Sequence, residues 1–431
     1  MLCERVHMRM ELLVIEGGKR LEGELELQGS KNSALPILAA AAVTGETSIL
    51  KHCPYLRDTD AAMRILRHIG CTAERAGDTV IVRSDAPKRW EIPDALMREM
   101  RSSIIFLGAL LSRFGRAELS APGGCDIGLR PIDLHLSALS ALGVRIEEQC
   151  GRLCCSAPKG LHGAAITLPF PSVGATENSI LCAVTAKGET VIRNAAREPE
   201  ICDLAAFFNG CGARISGAGT DTITVEPAAR FRATEFTIMP DRIMAATFLA
   251  AAAVTGGSVC VHRAAPQYLV PVLPYFEQAG CVVQTQGDDV LLHAPRRLQS
   301  TGLVRTMPYP GFPTDFQASA MVMAALSQGT SVFVETIFEN RFRHVPQLRR
   351  MGAHITVHNN VAVVEGVPQL CGAAVQATDL RGGAALVTAG LAAQGETHVS
   401  CVGHIDRGCE RFEQNLALLG ARIKRIETDT E

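Results

Sequence analysis

Cys125 and Arg130 lie in Pro122-Gly-Gly-Cys-Asp-Ile-Gly-Leu-Arg-Pro131, a stretch with three glycines and a proline at each end. The glycines open backbone conformations that other residues avoid, and the prolines stiffen the ends, which predicts a mobile but bounded flap. A guanidinium five positions from a thiol favours the thiolate, so Cys125 is a candidate proton donor or nucleophile. An ordinary Gly-rich turn with an incidental cysteine fits the same residues.

A second candidate is Gly29-Ser-Lys-Asn-Ser33, directly before the helical pattern Ala34–Val43. It puts Lys31 and unpaired amides at a helix start, where phosphate or carboxylate is attracted. A plain capping segment reads the same way, and the Walker spacing is absent. Arg101, Arg130, Arg381 and Arg407 offer planar donors suited to bidentate binding of carboxylate and phosphate. Taken singly, each also reads as a surface salt-bridge partner. In Gly311-Phe-Pro-Thr-Asp-Phe-Gln317, Thr314 or Asp315 reads as a helix cap, and Asp315 also as a carboxylate that takes a proton from a hydroxyl.

The elements that carry these residues repeat. A bulky residue, three residues and a glycine recur as Leu66–Gly70, Leu139–Gly143, Phe208–Gly212, Phe276–Gly280, Leu348–Gly352 and Leu416–Gly420, with glycines 68 to 73 residues apart. Each follows, by 23 to 28 residues, an Ala/Leu-rich run ending in Gly45, Gly115, Gly188, Gly256, Gly329 or Gly395. Glycine after an apolar helix reads as a left-handed cap that feeds the next strand. Six units of strand, helix, strand, helix and hairpin result, and one such hairpin is expected around Gly217–Asp221. A unit of this size cannot cover both faces of its sheet, so two groups of three are expected to bury the apolar helices behind a shell of sheets.

Composition narrows the function. The 431 residues carry 42 basic and 44 acidic side chains, so no global field draws the chain to nucleic acid or anionic lipid. Four Tyr and one Trp argue against base-stacking surfaces. Fifteen cysteines, an odd count without a Cys-x-x-Cys pair, point to reduced thiols. Residues 1–11 lack a signal core, and runs such as Phe248–Val254 stop short of a membrane span, so a cytoplasmic location is expected. Regular patterning starts only after Glu11, which leaves Met1, Met8 and Met10 as possible starts.

Together these segments resemble the enolpyruvyl transferases from about Glu16 to Ile426. The resemblance rests on Gly29–Asn32, Pro122–Asp133, Ser172–Thr176, Asn194–Glu200, Phe312–Asp315, Phe338–Phe342, Ala377–Arg381 and His404–Gly408. It implies an α/β fold, a two-domain inside-out barrel of six βαβαββ-type units with helices central and sheets outside. Residues 1–30 with 240–431 would form one domain and 31–239 the other.

The implied reaction moves the enolpyruvyl group of phosphoenolpyruvate to the 3′-hydroxyl of UDP-N-acetylglucosamine and releases phosphate. This is an addition–elimination through a tetrahedral ketal and a committed step toward peptidoglycan. By resemblance Asp315 is the base and Cys125 the proton donor or product-release thiol. Lys31, Arg101, Arg130 and Arg407 would face the phosphate and developing charge, with Arg381 on the carboxylate beside Asp379. Asn32, Asp315 and Ile337 would contact the sugar, and Pro131, Asp133, Leu134, Ser172 and Val173 the uridine and diphosphate. No metal or organic cofactor is implied. A cysteine in the flap also implies alkylation by the epoxide antibiotic fosfomycin.

Two departures stand out: Phe170-Pro171 where some relatives have a lysine and an aliphatic residue, and Met244 where an acid is common. The competing readings are the shikimate-pathway transferase of the same fold and a catalytically silent sugar-nucleotide-binding regulator.

Overall fold

A computed structural model describes residues 9–120 and 131–429; Cys125 and Arg130 lie outside them. The described residues form six separate four-stranded sheets. In the sheet of Glu91–Ile92, Arg116–Ser120, Arg152–Ser156 and Arg145–Gln149, the first two strands run parallel and the last two form an antiparallel hairpin. Its parallel strands are joined through Ile105–Phe114, and Asp133–Ala141 leads into the hairpin. The expected hairpin at Gly217–Asp221 is present, with Ile215 opposite Val225.

The chain falls into two compact units, one made of residues 9–27 and 241–429, the other of 28–120 and 131–240. Each has its own apolar core. Distant strands complete them. Arg9–Glu16 lies between Glu396–Ser400 and Arg422–Asp429, with Leu13 opposite both Val399 and Arg425. Glu22–Glu26 runs parallel to Ser258–His262, and Thr234–Thr237 runs parallel to Thr47–Lys51.

Helices are inside and sheets outside. In the 28–240 unit, Lys31–Thr44, Ile105–Phe114 and Val173–Ala183 pack on one another; in the other unit, Arg242–Thr255, Thr314–Ala325 and Leu380–Ala392 do so. Most are alanine- or leucine-rich all round, the pattern of a helix with no solvent face, while Val173–Ala183 also buries Thr176, Glu177, Asn178 and Ser179. Residues 33–44 are buried without exception. Outer helices such as Arg57–Ile69 are amphipathic instead, burying Ala61, Ile65 and Leu66 while Arg64 and Arg67 face water. Close approach depends on small residues. A Cβ on Gly108 would lie 2.5 Å from Asn178 Oδ1, the atom that accepts the Gly108 N–H at 2.7 Å.

All twelve glycines of the two repeat series have positive φ, from 66° at Gly115 and Gly256 to 109° at Gly212. Only glycine adopts that region without a steric penalty, so the repeat spacing is the spacing of chain reversals. The three sheets of each unit stay distinct and do not close into one continuous barrel. No disulfide occurs among the described cysteines. Burial pushes the Cys71 and Cys155 thiols up to about 11, which keeps them protonated and inert. No described helix is long and apolar enough to cross a membrane.

Candidate active site

Lys31 is the first residue of the Lys31–Thr44 helix, whose start is capped by the Ser30 hydroxyl accepting from the Ser33 N–H. Its ammonium donates to Asp58 Oδ2 at 3.3 Å, with side chains only 12% and 3% exposed. Neighbouring Ser33 donates to the Asp203 carboxylate, which also accepts from the Met239 N–H. Burial pushes the Asp203 carboxyl up to about 6, against the lowering effect of those two hydrogen bonds. Pro36 lacks the N–H that the Asn32 carbonyl would otherwise take in the helix ladder. The Lys31-Asn32 end is therefore rich in polar backbone groups.

Two further helix starts in the same unit carry the nucleotide candidates. Asp133 opens Asp133–Ala141, with Pro131 and Leu134 beside it, and Ser172 caps Val173–Ala183 by accepting from the Ala175 N–H. His135 joins the two helices. Its ring leaves room for no side chain at Gly174, and its Nδ1 lies 2.8 Å from the Asn178 amide nitrogen. Phe170 is 42% exposed, and its carbonyl accepts from the Ser172 N–H. The motifs at 172–176 and 194–200 meet where Thr176 Oγ1 accepts the Ala196 N–H at 3.1 Å. Arg101 opens the short turn Arg101–Ile104.

In the 241–429 unit the charged candidates interlock. Asp315 is the second residue of Thr314–Ala325, and the position before the helix is Pro313, so neither Thr314 nor Asp315 is its cap. Asp315 Oδ1 accepts from Arg341 Nη2 at 2.8 Å and lies 3.5 Å from Arg381 Nε. Arg341 also donates twice to the Thr314 carbonyl, at 3.1 and 2.9 Å. Both guanidinia are almost wholly buried, whereas the Asp315 side chain is 30% exposed. One carboxylate oxygen thus has two fixed cations behind it and a partly open side.

Asp379 caps the Leu380–Ala392 helix, its Oδ1 accepting from the Arg381 and Gly382 N–H groups at 3.0 Å. It positions Arg381. Burial works against its negative charge, but Arg341, the Gly382 amide and His344 outweigh burial and hold its carboxyl below the usual range. Arg381 is likewise opposed by burial, yet Asp315 and Asp241 keep it firmly protonated. Glu335 accepts from the Ile337 and Phe338 N–H groups and from the Thr314 hydroxyl, which fixes Ile337 relative to the Asp315 helix. Arg407 ends the turn Val402–Arg407, anchored through Asp406 to Arg425 at 2.7 Å.

Sequence reasoning passed over Arg341, Asp58 and His344. Arg341 stood inside the quoted motif Phe338–Phe342, and its signal was a lone arginine beside two aromatics. His344 is fully buried, and neither ring nitrogen has a hydrogen-bond partner. Burial pushes its imidazole down to about 4, so it is neutral at pH 7. Nothing local in the sequence marked that.

One unit thus offers polar helix starts and the other buried cations beside a carboxylate, each on sheets that enclose their helices. The family model described as EPSP synthase (3-phosphoshikimate 1-carboxyvinyltransferase) matches residues 15–416, and the chain belongs to that family of enolpyruvyl transferases. Within it, the chain is 50% identical over 412 residues to UDP-N-acetylglucosamine 1-carboxyvinyltransferase 2 of Caldanaerobacter subterraneus subsp. tengcongensis, covering 96% of this chain and 99% of that one. It is 47% identical to UDP-N-acetylglucosamine 1-carboxyvinyltransferase of Myxococcus xanthus, covering 96% and 99%. The crystal structure of the enolpyruvyl transferase NikO from Streptomyces tendae superposes with a TM-score of 0.88 at 26% identity, covering 98% of this chain and all of that one. EPSP synthase from Acinetobacter baumannii shares the fold, with a TM-score of 0.72 at 17% identity over 97% of this chain and all of that one.

Proposed function

We propose that this chain transfers the enolpyruvyl group of phosphoenolpyruvate to the 3′-hydroxyl of UDP-N-acetylglucosamine and releases phosphate. The reaction would serve peptidoglycan precursor synthesis in the cytoplasm, and through it cell shape and division. The observation that carries this reading is the Asp315 carboxylate held at a helix start by Arg341 and Arg381, in a chain half identical to a protein bearing that activity's name.

The chemistry balances as two steps. The hydroxyl oxygen bonds to C2 while its proton passes to Asp315, and C3 gains a proton, giving a phospho-ketal. The C2–O bond to phosphate then breaks, a C3 proton leaves, and the double bond returns. Two guanidinia stabilise negative charge on Asp315 and so weaken it as a base. A substrate carboxylate that engages Arg381 would draw that cation away and restore basicity where the hydroxyl arrives. Binding would then switch the base on. Lys31, Arg101 and Arg407 serve the phosphate, joined by Arg130. Cys125 is the thiol that gives the C3 proton or aids release of product, and fosfomycin would alkylate it. The two compact units are the two domains, and Pro131, Asp133, Leu134, Ser172 and Val173 hold the nucleotide.

Release of inorganic phosphate from phosphoenolpyruvate tests the reading. It is expected with UDP-N-acetylglucosamine and not with shikimate 3-phosphate. Release only with the latter reverses the assignment of acceptor, and release with neither points to a binding protein. Cys125→Ser should suppress turnover while Cys154→Ser should not, and the fosfomycin adduct should map to Cys125 by peptide mass.

A further inference from the structure

Three chemically different ligand groups converge on the sheet made by Glu22–Glu26, Ser258–His262, Asp289–His293 and Val282–Gln286. Val259, Val261, Val290 and Leu292 point into the core, so the alternation of side chains puts Cys260, His262 and Asp289 together on the opposite face. Cys260 Sγ, a His262 ring nitrogen and an Asp289 carboxylate oxygen all lie within 4.8 Å of one another.

The ring is held from both sides. Asp289 Oδ2 is 2.8 Å from His262 Nδ1, and Glu24 Oε2 is 3.0 Å from Nε2. The other Asp289 oxygen accepts the Arg263 N–H at 3.0 Å, which fixes the carboxylate, while the Arg263 guanidinium reaches away to Glu26 at 2.9 Å. Thiolate, imidazole and carboxylate form a donor set suited to a borderline-soft divalent ion. A carboxylate on the far nitrogen of the ring is the outer partner that fixes the tautomer of a metal-binding histidine.

We propose that Cys260, His262 Nδ1 and Asp289 bind a zinc ion, with water in the fourth position and Glu24 orienting the ring through Nε2. The present Nδ1 to Oδ2 spacing suits a shared proton. Two bonds of about 2.0–2.1 Å at a tetrahedral angle need about 3.3 Å, a shift within reach of a small rotation of the half-exposed Asp289. Zinc replaces the shared proton and the thiol proton, both of which pass to solvent. Its two positive charges are then met by one thiolate and one carboxylate. The ion ties Ser258–His262 to Asp289–His293 and, through Glu24, to the strand contributed by the first residues of the chain. This site does not depend on the transfer reaction proposed above.

The test uses full-length, chelator-treated protein titrated with zinc chloride by calorimetry and with cobalt(II) chloride by absorption. One equivalent of zinc is expected, and cobalt should give a thiolate-to-cobalt charge-transfer band. Cys260→Ser should abolish the band and His262→Gln should weaken zinc binding at least tenfold, whereas Cys401→Ser should change neither. Glu24→Gln should weaken binding by about tenfold. Should Cys260→Ser not fold, Asp289→Asn takes its place, with the same loss of zinc affinity expected. Absence of stoichiometric uptake, or uptake that survives Cys260→Ser (or Asp289→Asn in its place) or His262→Gln, overturns the site and leaves a histidine shared between two carboxylates.

Discussion

In the 28–240 unit, charged candidates stand at the starts of separate helices, with Lys31 on Asp58 and Asp133 exposed at the first residue of its own helix. In the 241–429 unit, Arg341, Arg381, Asp315 and Asp379 form one connected set, with fully buried His344 against it. The repeat and the enclosed helices are shared, so the difference lies in side chains and not in architecture. Helix starts add unpaired backbone amides, which attract anions, to whatever charge the side chain carries. An interlocked set is oriented before any ligand arrives, but each member then depends on the others.

That contrast can be broken most severely at Asp315. Asp315→Asn is expected to lower kcat by about 10²–10⁴-fold, read by phosphate release, if it is the general base. A loss below tenfold would return Asp315 to a structural role. Next, Arg341→Ala removes the cation behind two carboxylates and should cost about 3–5 kcal/mol of unfolding free energy in a denaturant titration. Lys31→Ala should depress kcat/KM for phosphoenolpyruvate, read by phosphate release, and an unchanged kcat/KM would remove Lys31 from the phosphate site.

Acid should act on the two units in opposite directions. His344 has its folded pKa pushed down from 6.5 to about 4, so the native state binds fewer protons than the unfolded chain in that window. The stability it contributes is present above 6.5 and is lost as pH falls toward 4. Asp379, also held low, adds to that direction. Asp203 has its folded pKa raised from 3.8 to about 6, so its contribution is full below 3.8 and is lost as pH rises through 6. Buried Glu177, raised by burial and then by Glu200 and Glu198, has the same sign as Asp203. Hydrogen exchange compared at pH 7 and pH 5 should therefore show the 241–429 unit loosening relative to the 28–240 unit. His344→Gln should flatten the first trend and Asp203→Asn the second.

The smallest effect probes the shared architecture. Gly108→Ala forces a methyl onto the Asn178 amide and should cost about 1–3 kcal/mol, seen as a lower denaturation midpoint with kcat little changed.

Much of the fold was legible because its signals are local. A glycine that must take positive φ, an alanine-rich run with no polar face and a Ser-Lys-Asn helix start each act within a few residues, and twelve glycines repeat the message. The reading of Asp315 as a helix cap gave way to Pro313 before the helix, because three neighbouring residues can start a helix and the choice depends on what lies above them. Arg341 was passed over for a similar reason: its partners stand 26 residues away or more.

Torsional preference and apolar periodicity are properties of short segments, so the amino-acid order alone already carries the six-unit repeat, the enclosed helices and the cationic helix start. Packing of distant segments is what puts Arg9–Glu16 between Glu396–Ser400 and Arg422–Asp429, shares one Asp315 oxygen between two guanidinia, and brings Cys260, His262 and Asp289 face to face. Those outcomes depend on strand register and on burial, which arise when distant segments pack and which no single stretch of chain encodes.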